Sequence, residues 1–261
     1  MSKYSNQLGS VHIVDDNLSR AWARIILHIQ EHPQNEITPL ILSLTGFDIN
    51  GQPNEVEGFS EELNNLLIQR KFRKIEDVAN TIFPKILWQT CGNDRQKLYA
   101  RYKKVFESYK NYNPRENNRG SYFERLINYG NDSNRINQLE WIISQQNSRK
   151  GVRRSMLQAS IFDPYKDHVA TAQLQFPCMQ HMSFEPTEEG LVVNAFYATQ
   201  QLFIKAYGNY LGIAQLGAFM ASEINMPLYK VNVFVGIAKL EKIPKNDVQL
   251  KSLVALAQLN N

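Results

Sequence analysis

Leu18, Trp22, Ile25, Ile26 and Ile29 recur at helical spacing through LSRAWARIILHIQEH, and Pro33 stops the run, so the first element predicted is an amphipathic helix. EITPLILSLTGFDING then reads as a short apolar strand closed by Asp and Gly turn residues. In SEELNNLLIQRKF, Leu63, Leu66 and Leu67 point one way and Ser60 is placed to cap the helix they predict. IEDVANTIFPKILW and DRQKLYARYKKVFESYK predict two more helices, and NYNPRENNRGS, rich in Asn, Pro and Gly, predicts a loop. SNRINQLEWIISQQ predicts another helix, with Ser133 or Asn134 as cap and Ile136, Leu139, Ile142 and Ile143 on its inner face.

The texture changes from residue 155. SMLQASIFDP, VATAQLQFPCMQHMSFEP, LVVNAFYATQ and KVNVFVGIAKLEK are four strand-like runs separated by Asp-Pro, Glu-Pro and Glu-Gly turn signals. Between the last two lies LFIKAYGNYLGIAQLGAFMASEI, apolar on nearly every face, which predicts a helix enclosed by the protein. Gly208, Gly212 and Gly217 each weaken a helix by ~1 kcal/mol relative to Ala, so their presence implies close approach of a backbone or ligand. The expected architecture is one α+β domain over 1–261: a helical first part, then a mixed sheet packed around one buried helix.

Composition narrows the function classes. The 261 residues are 43% hydrophobic and 21% charged, enough to bury a sizeable core. Net charge is +4, but RKFRK at 70–74 and SRKGVRR at 148–154 are the only dense basic clusters. The first reads as a solvated face, and together they signal a mild anion preference too weak to mark nucleic-acid binding. Two cysteines, Cys91 and Cys178, make no disulfide framework and no zinc-binding group, which points to a reducing, cytoplasmic setting. No signal peptide or membrane span is expected. HIQEH, residues 28–32, matches the His-x-x-Glu-His pattern of a zinc-peptidase class, but no third ligand presents itself. His28 and His32 read instead as a pair complementing the helix dipole, and no metal is expected. The glycine-rich and Ser-elbow signatures of nucleotide-binding and hydrolase sites are absent.

In QLQFPCMQHMSF, strand alternation puts Cys178, Gln180, Met182 and Phe184 on one face and Met179, His181 and Ser183 on the other. Alone, Cys178 reads as a small buried hydrophobe. Its neighbours change that reading. FDPYKDHVATAQLQFPCMQHMSF followed by LVVNAFYATQQLFIKAYGNYLGIAQLGAFMASEI resembles thymidylate synthase and the related pyrimidine hydroxymethylases. In that family a strand, an acidic turn, Pro-Cys, a strand ending in Arg-Ser-x-Asp and a buried helix bearing an asparagine follow in order. GSYFERL at 120–126 resembles the family's Tyr-x-Glu-Arg-Leu segment, and INQLEWIISQQNSRKGVRR its helix and arginine pair. The resemblance covers residues 118–243 and is faint over 1–115.

The resemblance implies a thymidylate synthase-like homodimer acting on a pyrimidine nucleotide. Cys178 would attack carbon 6, so that carbon 5 accepts a methyl or hydroxymethyl unit from methylenetetrahydrofolate. It places Asn209 on the pyrimidine edge, Tyr122 at the active-site tyrosine and Thr199 at the phosphate-binding serine. Arg153 and Arg154 resemble the pair that reaches the neighbouring subunit's phosphate. Departures accompany these matches: Ala198 stands at the cysteine-activating arginine, Gln201 at the folate-binding aspartate, and Lys239 and Glu241 at the ribose-contacting pair. A thiol needs nearby positive charge to ionise at neutral pH, and Lys205 or Lys239 is the candidate source. Glu76 is the candidate general base. The family's amino-terminal phosphate loop has no counterpart, and LKSLVALAQLNN does not resemble its folate-closing tail. Two readings therefore stand, a one-carbon transferase and a noncatalytic homodimer that binds a nucleotide or protein partner.

Overall fold

The computed structural model describes residues 7–112, 114–131, 133–170 and 176–259. β1 (Gln7–Leu8) and β2 (Val11–Asp15) precede α1 (Leu18–Gln30). Asn17 caps α1 by accepting from the backbone N–H groups of Ser19 and Arg20, and Trp22, Ile25, Ile26 and Ile29 are fully buried. The chain returns through β3 (Glu36–Ile37) and β4 (Leu40–Leu44) to α2 (Phe59–Gln69). Ser60 does not cap α2: the cap position is Gly58, at φ 75°, a left-handed conformation that glycine takes without steric penalty.

The next predicted helix is divided. α3 (Ile75–Ala79) and α4 (Lys85–Gln89) are separated at Pro84, which has no N–H to donate. α5 (Arg95–Tyr112) follows, and the predicted loop contains a short turn of helix, α6 (Pro114–Asn117), opened by its proline. After α7 (Tyr122–Ile127), α8 (Gln138–Ser148) begins later than expected. Asn137 caps it, neither Ser133 nor Asn134, and Ile136 pairs with Tyr129 outside the helix.

The second part carries β5 (Gln158–Ser160), α9 (Pro164–Asp167), β6 (Met179–Pro186) and β7 (Leu191–Gln201). A π-helical turn, Leu202–Ala206, leads into α10 (Tyr207–Glu223), then β8 (Leu228–Lys239) and α11 (Val248–Gln258). The part of the predicted strand at 171–175 lies outside the described residues. Eight strands form one mixed sheet in the order β1-β3-β8-β7-β6-β5, with β4 also on β8 and β2 on β4. The first part is therefore not simply helical, because four of its strands complete the sheet built by the second. β7 and β8 are parallel neighbours, which requires the crossover that α10 supplies. The fold is α+β with a mixed sheet.

α10 is buried nearly end to end, as its uniform apolarity predicts. The sheet lies on one side of it and α3 on the other. A Cβ on Gly208 would fall 2.7 Å from the Ile75 carbonyl oxygen, and one on Gly212 2.8 Å from that of Ala79, so these glycines admit the α3 backbone. The other face of the sheet is open: Phe196 and Phe234, 38% and 40% exposed, stack there at 5.6 Å across β7 and β8. No helix among the described residues is long and apolar enough to cross a membrane.

Candidate active site

Cys178 is exposed, contrary to the alternation that puts it with Met182 and Phe184. The reason is a register shift between Met179 and His181 against β7. The extra residue puts Met179 on the core face with Met182 and Phe184, all buried, and leaves Cys178 before the first residue of β6. Bulges of this kind re-aim side chains beside functional sites. The Cys178 carbonyl accepts from Ala198 N–H at 2.9 Å, fixing the cysteine beside the end of β7.

The sulfur opens into a cavity of about 550 Å³. Tyr122, Thr199, Gln201 and Asn209 also line it, as do Arg73, Arg119 and Lys205. Thr199 Oγ1 lies 3.6 Å from Cys178 Sγ. Tyr122 heads α7, where Ser121 accepts from Glu124 N–H, and its phenol oxygen accepts from Met179 N–H at 3.5 Å. Burial and the nearby Cys178 push the Tyr122 phenol well above its ordinary pKa, so it stays protonated. Asn209 sits in the first turn of α10 and is 5% exposed, and its side-chain amide has no hydrogen-bond partner among the described residues. A buried amide without a partner facing a cavity is a receptor for a complementary edge.

The charge in this cavity is positive. Lys205 projects from the π-helical turn, a backbone feature that recurs at functional sites. Burial and Arg73 lower its pKa, and Cys178 raises it, so these three groups are electrostatic neighbours. Arg73 comes from the RKFRK cluster that the sequence reads as a solvated face; instead it lines the cavity. Arg125, 2% exposed, pairs with Asp167 at 2.7 and 2.8 Å, and also donates to the carbonyls of Ile161 and Arg119. This buried pair holds α7, and hence Tyr122, against the segment that follows β5. Burial raises the Asp167 pKa, but hydrogen bonds from Arg125 and the Asp163 backbone outweigh it and hold the carboxyl below its ordinary value.

Other expected residues lie elsewhere. Lys239 does not reach the cavity: its ammonium pairs with Glu36 at 3.0 Å across the neighbouring strand. Glu241 is hydrogen-bonded to the Gln201 amide, beside the cavity. Glu76 is directed to Asn64, which donates to its two oxygens at 3.2 and 3.1 Å, and it does not line the Cys178 cavity. Arg153 and Arg154 are exposed at the turn before β5 and line no part of this cavity. The His28 and His32 rings lie 4.5 Å apart, tilted at 37° to each other, and no cluster of three or more metal-ligating side chains occurs among the described residues.

Two polar groups beneath the cavity carry no sequence signal. Gln200 is 2% exposed; its oxygen accepts from Tyr210 and its Nε2 has no partner. The Tyr197 hydroxyl is likewise buried and unpartnered, within electrostatic reach of Cys178 and Tyr122. Alternation shows that Tyr197 faces inward, but only the assembled sheet and α10 show what it faces. Comparison with protein-family models and with curated proteins finds no match to this chain.

Proposed function

We propose that the Cys178 cavity binds a pyrimidine nucleotide and that the sulfur adds to carbon 6 of its ring, in a thymidylate synthase-like one-carbon transfer. The observation that carries this reading is the pairing, in one cavity, of an exposed thiol with the unpartnered side-chain amide of Asn209, a residue that is 5% exposed. A nucleophile and an edge-reading amide are the minimum needed to select and activate a pyrimidine.

Thiolate attack forms a carbon–sulfur bond and moves the ring's 5,6 electron pair to carbon 5, which becomes nucleophilic. After substitution the carbon 5 proton passes to solvent water, since no carboxylate lines the cavity among the described residues, and its electron pair re-forms the 5,6 bond as the carbon–sulfur bond breaks and the thiolate leaves. Lys205, Arg73 and Arg119 line the cavity and give it the positive field that favours a phosphate. Thr199 Oγ1 donates to the sulfur, and the protonated Tyr122 phenol holds a proton beside the ring. Methylenetetrahydrofolate is the implied donor and, when bound, would supply the one-carbon unit and, for a methyl product, the two reducing electrons. Gln201 lines the cavity with its amide nitrogen held by Glu241 and its amide oxygen unpaired, which makes that oxygen the acceptor for an amino-pyrimidine edge.

A second copy of the chain is the proposed partner. Its place is the open sheet face, where the Phe196–Phe234 stack lies beside a polar ladder running from Asn232 through Asn194 to Ser183 and Glu185. Arg153 and Arg154, outside their own chain's cavity, are then left to serve the neighbour's.

The test is protection. Cys178 is alkylated with iodoacetamide in the presence of dUMP, dCMP, UMP or CMP. At least one nucleotide is expected to slow alkylation in a saturable way, with the effect weakened in Asn209→Ala. Equal rates with all four would contradict the proposal.

A further inference from the structure

A second, larger hollow of about 840 Å³ lies at the other end of α10. Its walls are the turn around Gly51, α4, the carboxyl-terminal half of α10 and the chain entering β8. Gly51 makes this closure possible: it has φ 70°, and a Cβ there would fall 2.5 Å from that of Ala218 on α10.

The lining is chemically uneven. Phe83 and Phe219 stack at 5.1 Å, and Trp88 meets Phe219 edge-on at 5.0 Å. Trp88 is only half-buried, and its indole N–H has no acceptor among the described residues. Above this aromatic floor sits Gln215, 8% exposed, whose buried oxygen has no partner and whose amide nitrogen makes no hydrogen bond to the described residues either. An unpaired carboxamide in the middle of a buried helix is a standing cost, and a leucine would pack there without it. The only charged side chain lining the hollow is Lys85, which already donates to Gln52 Oε1 at 2.5 Å.

These features select a ligand class. One engaged lysine is too little for a phosphate, and a cation finds no carboxylate. A purely aliphatic ligand leaves Gln215 unsatisfied. We propose that this hollow is a second binding site, for an uncharged planar heterocycle bearing both N–H and C=O groups, of the nucleobase or nucleoside class. Its ring lies against Trp88, the half-buried aromatic of the lining, and its polar edge pairs with the Gln215 amide. The site is independent of Cys178 chemistry: Gln215 is six residues along α10 from Asn209, about 9 Å of helix rise.

The experiment uses the full chain with ¹⁵N-labelled tryptophan, in which Trp22, Trp88 and Trp141 give separate indole signals. Adenosine, guanosine, cytidine and uridine are titrated in turn. With at least one, the Trp88 signal moves in a saturable way while Trp22 and Trp141 stay in place. Gln215→Leu weakens that binding by roughly tenfold or more, and Cys178→Ser leaves it unchanged. Absence of a Trp88 response to all four nucleosides overturns the proposal, as does binding that survives Gln215→Leu or is lost in Cys178→Ser. Should Gln215→Leu fail to fold, Ser222→Trp, which fills the hollow from an exposed position, replaces it with the same expected loss.

Discussion

At the scale of single residues, the site is a matter of charge and unpaired polarity around one sulfur. Cys178, Thr199, Tyr122, Gln201 and Asn209, spread between residues 122 and 209, line one cavity. Their identities and order are legible in the chain; their surroundings are not. Arg73 reads as part of a solvated cluster, because nothing in RKFRK reveals that the segment after α2 folds over the end of β7. Lys239 and Lys205 are equivalent candidates on paper, and only the strand pairing that gives Lys239 to Glu36 separates them. If Lys205 draws the nucleotide phosphate into the cavity, Lys205→Met should raise several-fold the rate at which iodoacetamide alkylates nucleotide-protected Cys178, with the difference narrowing as salt screens the charge. Lys239→Met should leave the rate unchanged.

At the scale of elements, periodicity reveals the strands and the enclosed helix, while caps and irregularities escape it. Gly58 and Asn137 replace the expected caps because the decisive quantity is local backbone geometry, which several polar residues nearby satisfy equally well on paper. The bulge that turns Cys178 outward is invisible for a related reason: a strand's period says nothing of a residue its partner skips. The glycines of α10 are legible as a sign of close approach, and their partner is α3. A methyl group on Gly208 meets the Ile75 carbonyl oxygen at 2.7 Å and Val78 Cβ at 2.7 Å. Gly208→Ala should therefore cost ~1–3 kcal/mol in urea unfolding, and weaken nucleotide protection of Cys178 because Val78 lines the same cavity.

The Arg125–Asp167 pair belongs to this scale too, because it joins α7 to the segment after β5. Asp167→Asn leaves a buried guanidinium without its counter-charge and should cost roughly 3–5 kcal/mol. The pH dependence has a definite sign. Because the folded-state pKa of Asp167 is depressed, its contribution is fully present above the unfolded value of ~3.9 and is lost as pH falls through the folded value. Acid unfolding of the wild-type protein should show this loss below about pH 4, and Asp167→Asn should lack that component.

For the whole molecule, the α+β class is readable from the change of texture at residue 155, but the division into a helical part and a sheet part is not kept. β1 and β3 are two-residue strands, too short for any alternation to register, and with β2 and β4 they extend the sheet that β8 centres. The result is one layer with helices on one side and a half-exposed Phe196–Phe234 stack on the other. If a second copy covers that face, Phe234→Asp should convert a dimer to a monomer in light scattering after size exclusion, with unchanged circular dichroism. A monomeric wild-type protein would remove the role proposed for Arg153 and Arg154.

The central claim is that Cys178 bonds covalently to carbon 6 of a pyrimidine. Intact-protein mass spectrometry after incubation with 5-fluoro analogues of dUMP, dCMP, UMP and CMP, with and without methylenetetrahydrofolate, measures this directly. The predicted result is a mass increase by one nucleotide without the folate, and by one nucleotide plus the folate when fluorine blocks release from carbon 5, mapped to Cys178 and absent in Cys178→Ser. An unmodified Cys178 across all four analogues would contradict it and leave the noncatalytic reading in its place.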